Sequence, residues 1–259
     1  MRSVSSNPAA PPFRRARPLL GTFVEVAVLG DDPAEIQTAA CDAAFDAVAQ
    51  VEALMSRHRP DSDIGRLNRG QTPPLHPWTR QVMEFCDRLG RDSKGVFNVR
   101  TTGVIDLGGV AKGFAVDRAV EALKSHGIDA GIVNAGGDMA VFGPRPQAVH
   151  RRDPAQPARL LPPIGVFNAA LASSAPAFDP VTGTIAPDSA IVDPRTGAPA
   201  AGALGASVRA PQAMAADALT KLVMILGGQA WPVLAQWQAD GWLVRRDGGQ
   251  DRTPGWMEG

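Results

Sequence analysis

Chemistry-bearing residues are densest in the run Gly103-Val-Ile-Asp-Leu-Gly-Gly-Val-Ala-Lys-Gly-Phe-Ala-Val-Asp117. An apolar strand ends there in glycines, and a helix begins near Ala111. Anion-cradling loops are built in this way: glycines let the backbone approach a phosphate, the amides at the helix start point at it, and Lys112 adds a positive charge. The same residues also have plain structural uses, Asp106 as a cap on the glycine turn and Lys112 as a solvated helix residue. A second glycine turn closes the strand that runs from Gly131 to Asp138, where the adjacent Gly136 and Gly137 suit positive φ. Residues 57–77 form an irregular polar stretch, and Ser62, Asp63 and Asn68 place binding-capable groups on it. Cys41 and Cys86 lack the spacing of a metal or redox motif and are expected to be buried free thiols.

These groups need a scaffold. Val24, Val26 and Val28 alternate with Glu25 and Ala27, which predicts an opening strand over residues 22–29. Asp32-Pro33 then starts a helix whose buried stripe is Ile36, Ala40, Ala43, Ala44, Val48, Val51 and Met55. Trp78, Val82, Phe85 and Leu89 predict a second helix that stops at Gly90, and the helix from Ala111 ends near Gly127. Residues 144–163, rich in proline and arginine, read as a surface loop. Short strands are expected at 165–172, 205–210 and 241–245. Pro211 opens a helix striped with Ala215, Ala216, Leu219, Leu222, Val223 and Leu226 and stopped by Gly227-Gly228; a shorter helix over 229–239 follows. Strands and helices mix without a βαβ rhythm, so the fold class is α+β, mixed sheets with packed helices.

With 259 residues and 44% hydrophobic content the chain can bury a full core. It reads as one domain of two closely packed lobes over residues 18–246, after a disordered leader at 1–17 and before a polar tail at 247–259. Its 26 basic and 26 acidic residues cancel, so no net field draws it to nucleic acid or to an anionic membrane. The first residues lack the apolar run of a secretory signal, and no later stretch approaches the roughly 20 uninterrupted apolar residues of a membrane helix. A cytoplasmic location without a membrane span is expected.

The order of motifs is more specific than any one of them. Pro18-Leu-Leu-Gly-Thr-Phe, Asp61-Ser-Asp-Ile-Gly-Arg-Leu-Asn68, Asp106-Leu-Gly-Gly-Val-Ala-Lys-Gly-Phe-Ala-Val-Asp117, Asn134-Ala-Gly-Gly-Asp138, Asp193-Pro-Arg-Thr-Gly197 and Ala216-Asp-Ala-Leu219 occur in sequence. The series resembles the ApbE-like FAD:protein FMN transferases, the thiamine-biosynthesis lipoprotein family. That resemblance implies the family's α+β flavin transferase fold and an enzyme that binds FAD and Mg²⁺. Such an enzyme transfers FMN to a threonine or serine hydroxyl of an acceptor protein and releases AMP. It further implies that Asp217 and Lys112 serve catalysis, that Leu20, His58, Asp106, Lys112 and Val192 contact FAD, and that Gly109, by its carbonyl, and Asp217 hold the metal. A hard cation takes oxygen ligands, so carbonyl, carboxylate and phosphate oxygens form a coherent set.

The sequence also departs from the family pattern. Four positions after Asp217 the family usually places a hydroxyl; here Lys221 stands there, and an ammonium has no lone pair for a metal. Thr220 offers a hydroxyl one position earlier. Lys221 either forms an ordinary i,i+4 pair with Asp217, worth about 0.3–0.5 kcal/mol, or replaces the cation. Three positions before Asp193, where the family commonly has a histidine, this chain has Ala190, and losing a positioned base typically costs about 10²–10⁴ in rate. Phe97-Asn-Val also runs almost directly into Val104-Ile-Asp106, shortening a segment that in the family helps enclose the flavin. These departures leave two readings: a transferase with an altered site, or a member that binds flavin nucleotide or a partner protein without transfer.

Overall fold

The computed structural model of the chain describes residues 12–101, 103–176, 178–179, 184–185 and 191–256. The chain opens on a hairpin, β1 (Phe13–Leu19) and β2 (Thr22–Val28), followed by α1 (Ala34–Met55), α2 (Asp63–Asn68) and α3 (Pro77–Asp92). A short ribbon of β3 (Arg100–Thr101) and β4 (Val104–Ile105) leads into α4 (Ala111–Ser125), then β5 (Gly131–Ala135) and β6 (Asp138–Phe142). Next come β7 (Gln147–Val149), β8 (Ile164–Val166), β9 (Ala169–Ser174), β10 (Phe178–Asp179), β11 (Thr184–Ile185) and β12 (Gly205–Ala210). The chain finishes with α5 (Ala213–Leu226), a 3-10 turn at Gly227–Ala230, α6 (Trp231–Gln236), β13 (Asp240–Val244) and β14 (Gln250–Arg252).

Eight strands form one antiparallel sheet in the order β1-β2-β5-β6-β9-β12-β13-β14, which is also their order along the chain. Val24, Val26 and Val28 of β2 are fully buried beneath the helical layer, as the period-2 pattern requires. The main core lies between that face and α1, α3, α4 and α5. A smaller core, with Val141, Leu171, Trp242 and Trp256, occupies the other face. There the Arg151 guanidinium lies 4.4 Å from the Trp242 ring and 5.0 Å from that of Trp256. The fold class is therefore the α+β expected, and Cys41 and Cys86 are buried free thiols.

Several boundaries differ from the sequence reading. Residues 13–17, assigned to a leader, are most of β1. Its three arginines hid the strand, since Arg14 pairs with Glu25 at 2.6 Å while Arg15 and Arg17 reach Asp42. Charged side chains and Pro18 suit an edge strand, where they discourage further pairing. The polar tail expected at 247–259 contains β14, and Trp256 is buried. The loop expected at 144–163 supplies β7 and the buried Arg151 and Asp153. Gly90 does not stop α3, which runs on to Asp92.

Helix α5 explains the chain's most apolar stretch. Residues 213–236 are long and apolar enough in composition to match a membrane-crossing length, contrary to the sequence expectation. The stretch is two helices broken by the 3-10 turn, and α5 is buried on nearly every side between the sheet and α4. A helix apolar all round is the core helix of its domain. Leu219 and Leu222, both fully buried, contribute about 1.5–3 kcal/mol each.

The start of α5 has no capping side chain of its own. Asp117 of α4 caps it instead, accepting the backbone N–H of Ala213 at 2.8 Å and of Met214 at 2.9 Å. Asp117→Ala should cost about 1–2 kcal/mol in urea unfolding. Burial pushes the Asp117 carboxyl up to about 6, against the lowering effect of the two N–H bonds. The folded chain thus holds this proton more tightly than the unfolded chain. Its contribution to stability is complete below the ordinary value of 3.8 and is lost as pH rises through about 6. Wild type should therefore gain stability relative to Asp117→Asn on acidification through that window, measured by urea unfolding at neutral and mildly acidic pH.

Candidate functional site

The glycine run after β4 folds as a tight loop. Asp106 Oδ1 accepts the Gly108 N–H at 2.9 Å and Oδ2 meets Arg57 Nε at 3.2 Å, so Asp106 shapes the loop while its side chain stays partly open. The N–H groups of Val110 and Ala111 turn back to the Leu107 carbonyl, at 3.0 and 2.8 Å, which starts α4 directly after the glycines. The Lys112 side chain is partly buried and paired rather than free in solvent. Its Nζ lies 2.7 Å from Asp138 Oδ2 and 3.6 Å from Asp217 Oδ2, joining the β5–β6 turn to the buried face of α5.

Asp217 is the centre of this cluster and is fully buried. Its Oδ1 accepts Lys221 Nζ from one turn along α5, and its Oδ2 accepts the Gly113 N–H at 3.1 Å. Helices α4 and α5 thus cap each other, Asp117 serving α5 and Asp217 serving α4. Burial raises the Asp217 carboxyl, but the ammoniums of Lys221 and Lys112 outweigh it and hold the group below the usual carboxylate range. Asp138 is raised, by burial first and by the Asp217 charge second. Lys112 is raised because its two carboxylates outweigh its burial.

Two cavities meet at the loop. A larger one of about 660 Å³ is lined by Leu20, Met55, His58, Asp106, Gly108 and Lys112, among others. A smaller one of about 360 Å³ is lined by Phe97, Asp106, Gly109, Val192 and Lys221, among others. Asp106 and Gly108 belong to both walls, so the loop is the ridge between them. Each cavity has one lysine of the cluster in its lining.

The structure brings Leu20, His58, Asp106 and Lys112 together around the larger cavity, and Gly109 and Val192 around the smaller one beside Lys221. Leu20 is held at φ 56° in the two-residue turn between β1 and β2, a left-handed backbone that leucine rarely adopts. Its N–H donates to Glu52 Oε2 at 3.1 Å, which helps hold the turn at the cavity rim. Thr220 is adjacent to the cluster, but its hydroxyl bonds the Asp217 backbone oxygen and Ser174 Oγ, each at 2.7 Å. Ser62, Asp63 and Asn68, read as loop groups available for binding, hold the fold instead. Ser62 caps α2, the buried Asp63 accepts Thr79 Oγ1 at 2.7 Å, and Asn68 makes two bonds to the Ile105 backbone. Ala190 lies outside the described residues.

Asp138 was not assigned a role from sequence. Its signal was present: strand alternation points it inward from β6, and a buried carboxylate requires a counter-charge. Asp117, Arg57 and Glu52 carried no such signal, because their partners lie in distant segments.

A divalent cation does not fit the donors as they stand. Mg²⁺ demands near-octahedral oxygen ligands at about 2.0–2.1 Å. Both Asp217 oxygens already accept donors, and Thr220 is engaged elsewhere. The Lys221 stem also lies over Gly109, with Cε 3.4 Å from where a Cβ of that residue would stand. The Lys221 side chain thus runs from Gly109, beside its stem, to Asp217, which its ammonium meets, across the space the expected metal would need. Among the described residues no group of three or more His, Cys, Asp or Glu side chains is arranged to hold a metal.

Fold and site together define an α+β protein with a glycine loop, flanked by Lys112 and Lys221, between two ligand-sized cavities. The ApbE family model matches residues 20–104 and 99–243, and the chain belongs to the ApbE family. An FAD:protein FMN transferase of Rhodobacter capsulatus is 31% identical over 144 residues, covering 51% of this chain and 26% of that protein. One of Treponema pallidum (strain Nichols) is 24% identical over 191 residues, covering 51% of this chain and 52% of its own length. This chain therefore spans about half or less of the curated relatives it matches. The ApbE protein of Thermotoga maritima shares the fold with a TM-score of 0.82 at 21% identity, over 94% of this chain and 97% of its own. The flavin transferase ApbE of Vibrio cholerae does so with a TM-score of 0.74 at 20% identity, over 94% and 97%.

Proposed function

We propose that this chain is an FAD:protein FMN transferase whose diphosphate site is the ridge of residues 106–109. The observation that carries the reading is the pair of cavities joined at a glycine loop, with Lys112 beside one and Lys221 beside the other. A dinucleotide has the matching shape, two bulky ends joined by a diphosphate. The larger cavity, with Leu20, Val51, Met55 and Leu107 in its wall, takes the isoalloxazine, and the smaller one takes the adenosine end. Two curated relatives named FAD:protein FMN transferase support the assignment.

In the reaction an acceptor serine or threonine oxygen forms a bond to the phosphorus on the FMN side. The bond from that phosphorus to the bridging oxygen breaks, AMP leaves with that oxygen, and the hydroxyl proton is released to water. Phosphoryl transfer of this kind is catalysed mainly by alignment and charge stabilisation. Lys112 offsets charge on the diphosphate, Asp138 and Asp217 fix Lys112, and the start of α4 adds its dipole. The Mg²⁺ expected from the resemblance has no part in these steps, because the donors do not fit it.

The test is covalent labelling. The pure chain, FAD and an acceptor domain that a family enzyme flavinylates in parallel are incubated, and flavin fluorescence is read on a denaturing gel. A fluorescent acceptor band is expected. If the control enzyme labels the acceptor and this chain does not, the transferase reading fails for that acceptor.

A further inference from the structure

The cluster around Asp217 holds two ammoniums on one buried carboxylate. Lys221 donates to Oδ1 and Lys112 lies 3.6 Å from Oδ2, so the two cations are fixed side by side. With Asp138 included, two carboxylates face two ammoniums, but the carboxylates are buried and the lysines part-exposed to the cavities. A dication arriving from either cavity would meet positive charge first. An anion of two phosphates would instead meet one ammonium on each side of the ridge, beside the start of α4. Lys221 is also preorganised to meet such an anion, because its stem packs on Gly109 and its Nζ is further held by Thr220 Oγ1 at 3.2 Å. Fixed donors lose little freedom when a ligand arrives.

We infer that Lys221 acts in place of a divalent cation, so that with Lys112 it binds the diphosphate of a dinucleotide without metal. The inference rests on the flavin transferase reading only for the identity of the dinucleotide. It makes Lys221 a binding residue for the phosphate next to the smaller cavity. It also predicts which substitution would return the site to a metal: a hydroxyl at position 221 frees Asp217 Oδ1 and restores an oxygen donor one helical turn away.

The experiment is calorimetric titration of the full chain with FAD, in EDTA and in millimolar Mg²⁺, and with inorganic pyrophosphate in EDTA. Wild type, Lys221→Met and Lys221→Thr are compared, the methionine keeping the stem on Gly109 without the charge. Wild type should bind both ligands in EDTA, with the same Kd for FAD when Mg²⁺ is present. Lys221→Met should bind FAD in EDTA about tenfold or more weakly, the usual effect of losing a charge-assisted contact. Lys221→Thr should be equally weak in EDTA and should recover on adding Mg²⁺. A wild-type affinity for FAD that appears, or rises tenfold, only with Mg²⁺ overturns the inference while leaving the flavin reading intact. An unchanged affinity in folded Lys221→Met also overturns it. Pyrophosphate binding in EDTA that is lost in Lys221→Met, with no FAD binding to any form, upholds the lysine pair and removes the flavin reading. The wild-type comparison decides the matter even where a variant fails to fold.

Discussion

Asp217→Ala should lower the unfolding free energy by about 3–5 kcal/mol, a large part of the roughly 5–15 kcal/mol typical of a domain. The reason is the company Asp217 keeps. Its carboxylate is fully buried, answers Lys221 and Lys112, and accepts the Gly113 N–H. Removing it leaves two cations facing each other with Asp138 as the one near counter-charge among the described residues, and it leaves the start of α4 without its acceptor. An isolated i,i+4 pair on a helix surface is worth about 0.3–0.5 kcal/mol, so the size of the loss separates a buried hub from a surface pair. Urea unfolding measures it. Adding Lys221→Met to Asp217→Ala should recover a substantial part of the loss, since most of the cost is the stranded charge rather than the lost bond. A single variant that loses less than about 1 kcal/mol would contradict the buried network.

Gly113→Ala is the second large effect expected, and its cause is steric. A Cβ at Gly113 would stand 2.2 Å from the Ala213 carbonyl oxygen and 2.8 Å from Met214 Cα, both backbone atoms of α5. No side-chain rotation relieves such a contact, so α4 and α5 must separate. Overpacking of this kind costs about 1–3 kcal/mol and occasionally more. Separation also lengthens the reach from Lys112 to Asp217, so FAD affinity should fall together with stability. Gly165→Ala is the control, because nothing lies within 4 Å of the position its Cβ would take. Thermal unfolding and FAD titration of the two variants should diverge clearly, with Gly165→Ala indistinguishable from wild type.

The sequence made the scaffold legible where burial has a period. Val24, Val26 and Val28 announced β2, and the glycines after Ile105 announced the start of α4. It misled where a polar side chain served the fold. The arginines of β1 look like a leader because their partners, Glu25 and Asp42, lie in other elements. Asp63 looked available because nothing in its neighbourhood reveals that Thr79 and the His76 amide will surround it. Within the site, motif order located Asp106, Lys112 and Asp217 but not how they are paired. That Lys221 would lie on Gly109, and that Thr220 would turn to Ser174, depends on the packing of α5 against α4 and β9, which local spacing does not encode.

The mutual capping of α4 and α5 also has a consequence in time. The eight strands of the main sheet stand in chain order, so each can add to an edge that already exists as the chain is made. The two caps, in contrast, close loops of 96 and 104 residues, from Asp117 to Ala213 and from Gly113 to Asp217. Contacts so distant along the chain are costly to form early. A nascent chain stalled before Ala213 already contains Lys112, Asp138 and the glycine ridge but no Asp217. It has a cradle with no partner for its helix start, so on the proposed reading ligand capture awaits the synthesis of α5. Flavin added to ribosome-bound chains of increasing length would register that moment as the point at which binding first appears.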